Sequence, residues 1–213
     1  NIDNFATCPI ERLVEDGQGM SLRQLLKKPI FAAAIILMIC AGASEMSMAQ
    51  WASAFAESAL GLTKSVGDLA GACLFATTMG ISRMLYGKFG EKIDLIKFML
   101  ISGVICVVSY LLAGLSAMPI WGLVGCVMCG FSVGIMWPGS ISITAPRIPK
   151  GGTALFALLA MAGDMGGAFG PSVVGYFSQH AGDNLQAGLL TGCIFPLIML
   201  ATLIAMKKMT PEG

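Results

Sequence analysis

Pro29-Ile30-Phe31-Ala32-Ala33-Ala34-Ile35-Ile36-Leu37-Met38-Ile39-Cys40-Ala41-Gly42-Ala43 runs directly into Ser44-Glu45-Met46-Ser47-Met48-Ala49-Gln50-Trp51. The first part carries no charge and only apolar or small side chains. A helix rises about 1.5 Å per residue, and about 20 such residues cross a bilayer core. The second part turns polar without a loop signal. A helix bearing Ser44, Glu45, Ser47 and Gln50 cannot face lipid on all sides, so it lines water or a ligand. Glu45 stands about 24 Å along the helix from Pro29, a little past the midplane. In a straight helix Glu45 and Gln50 are about 140° apart, so they meet on one ligand only if the helix bends or unwinds there.

The rest of the chain reads the same way. Of 213 residues, 56% are hydrophobic and 12% charged, about half the charge of a soluble domain. Mean hydropathy is +0.80, which excludes disorder, since disorder needs low hydrophobicity and high charge. Net charge is +1, with no basic face for nucleic acid. Six apolar segments are expected as membrane helices: spans 1 to 6 at 29–54, 65–86, 94–116, 119–143, 153–178 and 186–206. The fold class is all-α, and the bilayer is the chain's solvent. Residues 1–28 read as a cytoplasmic connector, 29–208 as the six-helix domain and 209–213 as a tail. Within the connector, Ser21 to Lys28 reads either as a short amphipathic helix capped by Ser21 or as a plain tether.

Lys and Arg set the orientation. Arg12, Arg23, Lys27 and Lys28 precede span 1; Lys88, Lys92 and Lys97 surround the turn after span 2, with Arg83 at its edge. Arg147 and Lys150 follow span 4, and Lys207 and Lys208 close span 6. The opposite face has only Lys64. Both termini are therefore expected in the cytoplasm, in a multi-pass protein of the cell membrane.

No cofactor, metal or enzymatic chemistry is expected. Seven Cys, an odd number mostly inside apolar runs, make no disulfide framework. Cys126-x-x-Cys129 has no second pair and no nearby His, so it reads as helix packing rather than as a metal or redox site. His180 is the single His. Gly61-Leu62-Thr63-Lys64-Ser65 lacks the Gly before Lys of a phosphate loop. No Ser/His/Asp set can be assembled in the membrane.

The informative groups are intramembrane carboxylates, which cost about 2.5–3.5 kcal/mol even on lenient scales. Glu45 and Asp164, the latter about 16 Å into span 5 from Thr153, read as cavity-lining; the competing role is glue between helices. Asp68 and Glu57 read as solvated helix ends. Trp51 and Trp137 either stack on a ligand or belong to the interfacial belt, and Trp121 belongs to the belt. Two interleaved G-x-x-x-G pairs, Gly163/Gly167 and Gly166/Gly170, invite close helix approach in span 5. Pro171 follows them and Pro138 lies in span 4; each removes a backbone hydrogen bond and allows a bend.

With these features the chain resembles the C-terminal half of a major facilitator superfamily transporter. Gly80-Ile81-Ser82-Arg83-Met84-Leu85-Tyr86-Gly87-Lys88-Phe89-Gly90-Glu91-Lys92 is similar to the family's G-x-x-x-D-R-x-G-R-R gating loop. Lys88, Gly90 and Lys92 match its basic, glycine and basic positions. Gly87 stands in place of Asp, Glu91 in place of Arg and Arg83 in place of the leading Gly, so a gating ion pair through that Asp has no partner here. Gly166-x-x-x-Gly170-Pro171-x-x-x-Gly175 is similar to an antiporter motif of first halves, and no antiport is inferred from it. Gln50 to Glu57 and Trp137-Pro138 look most like the fucose-permease-like bacterial group.

The resemblance implies two inverted three-helix repeats, with spans 1 and 4 lining a central cavity. It implies a substrate pathway of Glu45, Gln50, Trp51, Trp137 and Asp164, and alternating access for a small polar solute, sugar-like or an organic acid. Glu45 or Asp164 would couple transport to protons, and Gln50 would bind solute. The missing partner would be an N-terminal six-helix half, which fits a chain that opens on Asn1. The alternative is a six-span structural or assembly subunit with no transport cycle.

Overall fold

The computed structural model describes residues 20–61, 63–90 and 93–209. It is all-helical among those residues, with six helices long and apolar enough to cross a membrane: Pro29–Glu57, Lys64–Phe89, Leu95–Leu115, Pro119–Arg147, Gly152–His180 and Leu185–Met209. These are spans 1 to 6. Most run a few residues past the sequence expectation, and the turns between them shorten accordingly.

The ends follow from local chemistry. Pro29 and Pro119 open spans 1 and 4, where a missing N–H costs nothing. Asp94 caps span 3 by accepting from the Lys97 N–H at 3.2 Å, and its carboxylate pairs with Lys97 Nζ at 3.1 Å. Asn184 caps span 6 on the N–H groups of Gln186 and Ala187. Before span 1, the helix Leu22–Leu26 is closed by a capping box between Ser21 and Gln24. Its Leu25 is fully buried against a cluster with Phe31, Ile148 and Leu155.

Spans 1 and 4 form the centre. Span 1 packs on spans 2, 5 and 6, and span 4 on spans 2 and 3. The packing of span 1 on spans 5 and 6 and of span 4 on spans 2 and 3 fits a two-fold exchange of the first three spans with the last three; the contact of span 1 with span 2 has only a slight counterpart between spans 4 and 5. In their apolar windows 61% of spans 1 and 4 is buried, against 17% of span 2 and 28% of span 5. Spans 2 and 5 are also the least apolar, with mean hydropathies of 1.2 and 1.3.

Lipid tails are as apolar as the side chains, so helices here associate by close packing rather than by the hydrophobic effect. The tightest seam joins spans 1 and 5. A Cβ at Gly42 would strike the Gly163 carbonyl, one at Gly166 the Ile39 carbonyl, and one at Gly170 would lie 2.7 Å from Ala43 Cα. The glycine pairs of span 5 thus meet a small-residue face, Ile39 to Ala43, on span 1. Cys126-x-x-Cys129 is packing too: Cys126 Sγ lies 3.5 Å from Met48 Sδ, and Cys129 Sγ 3.9 Å from Cys106 Sγ. All cysteines among the described residues are free thiols.

Candidate functional site

Three of the six spans are interrupted. Span 1 is helical over Pro29–Ala49, turns at Gln50 and Trp51, and resumes at Ala52. Span 4 is helical over Pro119–Val133 and again over Met136–Thr144. Span 6 breaks at Cys193, between Gly192 and Ile194. The breaks in spans 4 and 6 share a cause. Pro138 and Pro196 have no N–H for the carbonyls of Gly134 and Gly192, four residues earlier. Span 1 bends without proline. There the Tyr110 hydroxyl, from span 3, donates to the Ser44 carbonyl at 2.8 Å just before the turn.

Beside these breaks spans 1, 4 and 5 enclose a concavity of about 450 Å³. Gly42, Glu45 and Met46 line it from span 1, Trp137 from span 4, and Gly163, Asp164, Gly167 and Ala168 from span 5. By helix rise Glu45 lies about 24 Å from Pro29, and Asp164 about 18 Å from Gly152. Both sit at middle depth. Glycines shape this wall: a Cβ at Gly163 would lie 2.6 Å from the Trp137 ring. The indole is thereby pressed between span 5 and the cavity.

The ionisable groups of this lining are the two carboxylates. Asp164 is exposed. Glu45 Oε2 is buried and has no hydrogen-bond partner. A buried acceptor without a donor carries the desolvation cost of its group, so a proton or a donor group of a ligand finds an unmet bond there. Gly167 adds a backbone acceptor, because Pro171 withholds the N–H its carbonyl would otherwise receive.

The expected site residues thus divide. Glu45, Trp137 and Asp164 meet in one concavity. Gln50 and Trp51 do not line it. The turn at Gln50 and Trp51 leaves Gln50 exposed and Trp51 packed against the apolar core, with its Nε1 buried and unpartnered. The turn required for Glu45 and Gln50 to meet is present in span 1, yet Gln50 and Trp51 do not join Glu45 in the concavity. Trp121 is exposed at the start of span 4, beside an apolar groove with Val108 and Leu115.

The gating residues are corrected in their setting. Arg83, Gly87 and Lys88 are not in a loop, because span 2 stays helical to Phe89; Gly90 caps it. Lys92 lies outside the described residues. Arg83 is exposed, but its Nε–H reaches span 4 and donates to the Gly134 carbonyl at 3.3 Å. Pro138 accompanies a break, as expected; Pro171 does not, for Gly152–His180 is one continuous helix through it. Sequence reasoning missed Gly42, Met46 and Ala168 as lining residues, and Arg83 as a partner of span 4. The G-x-x-x-P spacing of Gly134 and Pro138 was the available signal for the second.

Six spans, interrupted central helices and acidic groups at middle depth define a multi-pass membrane protein built around an internal polar concavity. The profile of the Major Facilitator Superfamily matches residues 33–212. The chain belongs to that superfamily, whose members are transporters. It is 27% identical over 159 residues to the "Multi-drug resistance efflux pump PmrA" of Streptococcus pneumoniae, in two strains. That match takes in 70% of this chain and 39% of the pump, so the chain spans well under half the length of these relatives.

Proposed function

We propose that this chain is the C-terminal six-helix half of a secondary transporter that moves a small solute by alternating access. The observation that carries it is the mid-depth concavity where Glu45, Trp137 and Asp164 converge from three spans. Exposure supports the missing half. The most exposed spans, 2 and 5, are the least apolar, the reverse of what lipid contact favours. Another six-helix half covers those faces, and the two rock about the midplane. Both termini of this half lie in the cytoplasm of a cell-membrane protein.

Two carboxylates in the lining repel an organic acid, so a neutral sugar-like solute fits better, with Trp137 as a stacking face. The fucose-permease-like group is the matching reading. Glu45, with an orphaned buried oxygen, takes the coupling proton. The relatives' name favours a second reading, in which the same acidic, aromatic cavity exports drugs. Everted vesicles and right-side-out vesicles of the transporter containing this chain separate the two. Under an imposed proton gradient, inward sugar accumulation supports the first and outward dye movement the second. No gradient-driven movement in either direction sinks transport and favours a structural subunit.

A further inference from the structure

The short helix Leu22–Leu26 is fastened across one end of the bundle, far from the concavity. The Met20 N–H donates to the Lys150 carbonyl at 2.9 Å, in the turn between spans 4 and 5. Pro29 disfavours the helical region for the residue before it, so Lys28 is extended (φ −82°, ψ 121°) and the chain turns a corner into span 1. Leu25 is fully buried on Phe31, Ile148 and Leu155. Phe31 and Leu155 are the third and fourth residues of spans 1 and 5. By helix rise the short helix therefore lies within about 5 Å of the span ends, where hydrocarbon gives way to headgroups.

Its faces divide by chemistry. Residues four apart share a helix face, so Leu22 pairs with Leu26 and Arg23 with Lys27, while Leu25 points opposite the two cations. Leu22 and Leu26 are 56% and 65% exposed, although Leu25 beside them is sealed. Arg23, Lys27 and Lys150 are exposed and Lys28 is half-buried. None of these four cations has an ion-pair partner among the described residues. The described carboxylate at this end of the bundle, Asp94, is already paired with Lys97. Two bare leucines beside four unpaired cations suit a surface that is apolar below and anionic above.

We propose that this corner is a binding site for anionic phospholipid. Leu22 and Leu26 lie against the acyl chains, Arg23 and Lys27 donate to the headgroup phosphate, and Lys28 and Lys150 add to the positive field. Charge decides against a protein helix as the occupant: its apolar face would cover the leucines and leave the cations unmet. Each basic side chain near an anionic surface strengthens binding about fivefold, and salt weakens it. The lipid also joins the connector to the turn between spans 4 and 5, since its cations come from both. None of this depends on which solute the protein moves.

The test is photolabelling of the full-length protein containing this chain, in phosphatidylcholine vesicles. Each sample carries a trace of photoactivatable phosphatidylglycerol or of its phosphatidylcholine counterpart, and mass spectrometry reads the label on the fragment bearing Leu22 and Leu26. Phosphatidylglycerol should label it at least fivefold more than phosphatidylcholine, and less at high salt. Arg23→Gln with Lys27→Gln should lower that ratio about tenfold or more. Lys207→Gln with Lys208→Gln removes two exposed charges from the same end of the bundle and should leave the ratio unchanged. An equal loss in that second pair would show a general surface charge in place of a site and overturn the proposal. Equal labelling by the two lipids would do the same. Label from neither lipid would mean that protein covers the leucines, which also overturns it. All of these substitutions fall on exposed side chains, and thermal unfolding in detergent checks that each protein remains folded.

Discussion

Replacing Gly166 by Ala adds one methyl group where spans 1 and 5 meet backbone to backbone. The new Cβ would fall on the Ile39 carbonyl, 2.7 Å from its carbon and 2.8 Å from Ile39 Cα. The carbonyl oxygen is nearer still, and well-packed atoms sit about 3–3.5 Å apart or more, so the helices must separate by at least about 1 Å. No side chain can swing away, because both surfaces are backbone. The shift would also open the contacts of Gly42 and Gly170 along the same seam. Overpacking costs about 1–3 kcal/mol, and a contact this rigid belongs at the upper end. For a chain of this length that lowers the unfolding midpoint by roughly 5–10 °C. The assay is thermal unfolding in detergent, followed by a thiol-reactive dye that reaches Cys40, Cys106, Cys126 and Cys129 only when the bundle opens. Gly175→Ala is the control, on the same helix with open space around its Cβ. It should hold or raise the midpoint, since Ala is the better helix former by up to about 1 kcal/mol. A Gly166→Ala protein that melts within 1 °C (about 0.3 kcal/mol) of the control would refute close packing as the basis of this seam.

Other outcomes follow from single contacts. Glu45→Gln and Asp164→Asn should each abolish proton-driven accumulation by the transporter containing this chain, and wild-type accumulation in both would remove them from coupling. A cysteine at Ala168, which lines the concavity, should react with a water-soluble thiol reagent while buried Cys106 does not; equal protection argues for a closed, packed subunit. Tyr110→Phe removes the donor to the Ser44 carbonyl and should cost about 1 kcal/mol in denaturant unfolding. Asp94→Ala should cost about 1 kcal/mol at pH 7. The Lys97 N–H, then the Lys97 ammonium, hold the Asp94 carboxyl below its ordinary range. Its contribution is therefore present above about pH 4 and lost as pH falls further. A gap between the two proteins that persists undiminished at pH 2 would show that the cap is not acting as a carboxylate.

The six spans were legible because the bilayer makes one demand that composition records directly. Every buried backbone group must be satisfied within the helix, and about 20 apolar residues must follow in sequence. Of the local signals, the cap at Ser21 was read from the sequence, and Asp94 and the prolines at 29 and 119 mark ends in the structure as well. Glu45 and Asp164 stood out because a carboxylate at that depth needs a reason. That they share one concavity with Trp137 was not legible, for it depends on which faces of spans 1, 4 and 5 turn toward each other. Gln50 and Trp51 show the limit most clearly. A helix with period 3.6 can be projected forward, but a turn rotates everything after it, and no proline marked that turn.

The sequence by itself determined that this chain lives in a bilayer, crosses it six times and carries acidic groups at middle depth, because hydrophobicity and charge are properties of single residues. Tertiary structure decided which of those groups meet. It set Gly42 against Gly163, sent Trp51 into the core and brought Arg83 out of a supposed loop onto the Gly134 carbonyl. Those pairings depend on helix rotation and backbone distance, and small residues permit them without specifying them.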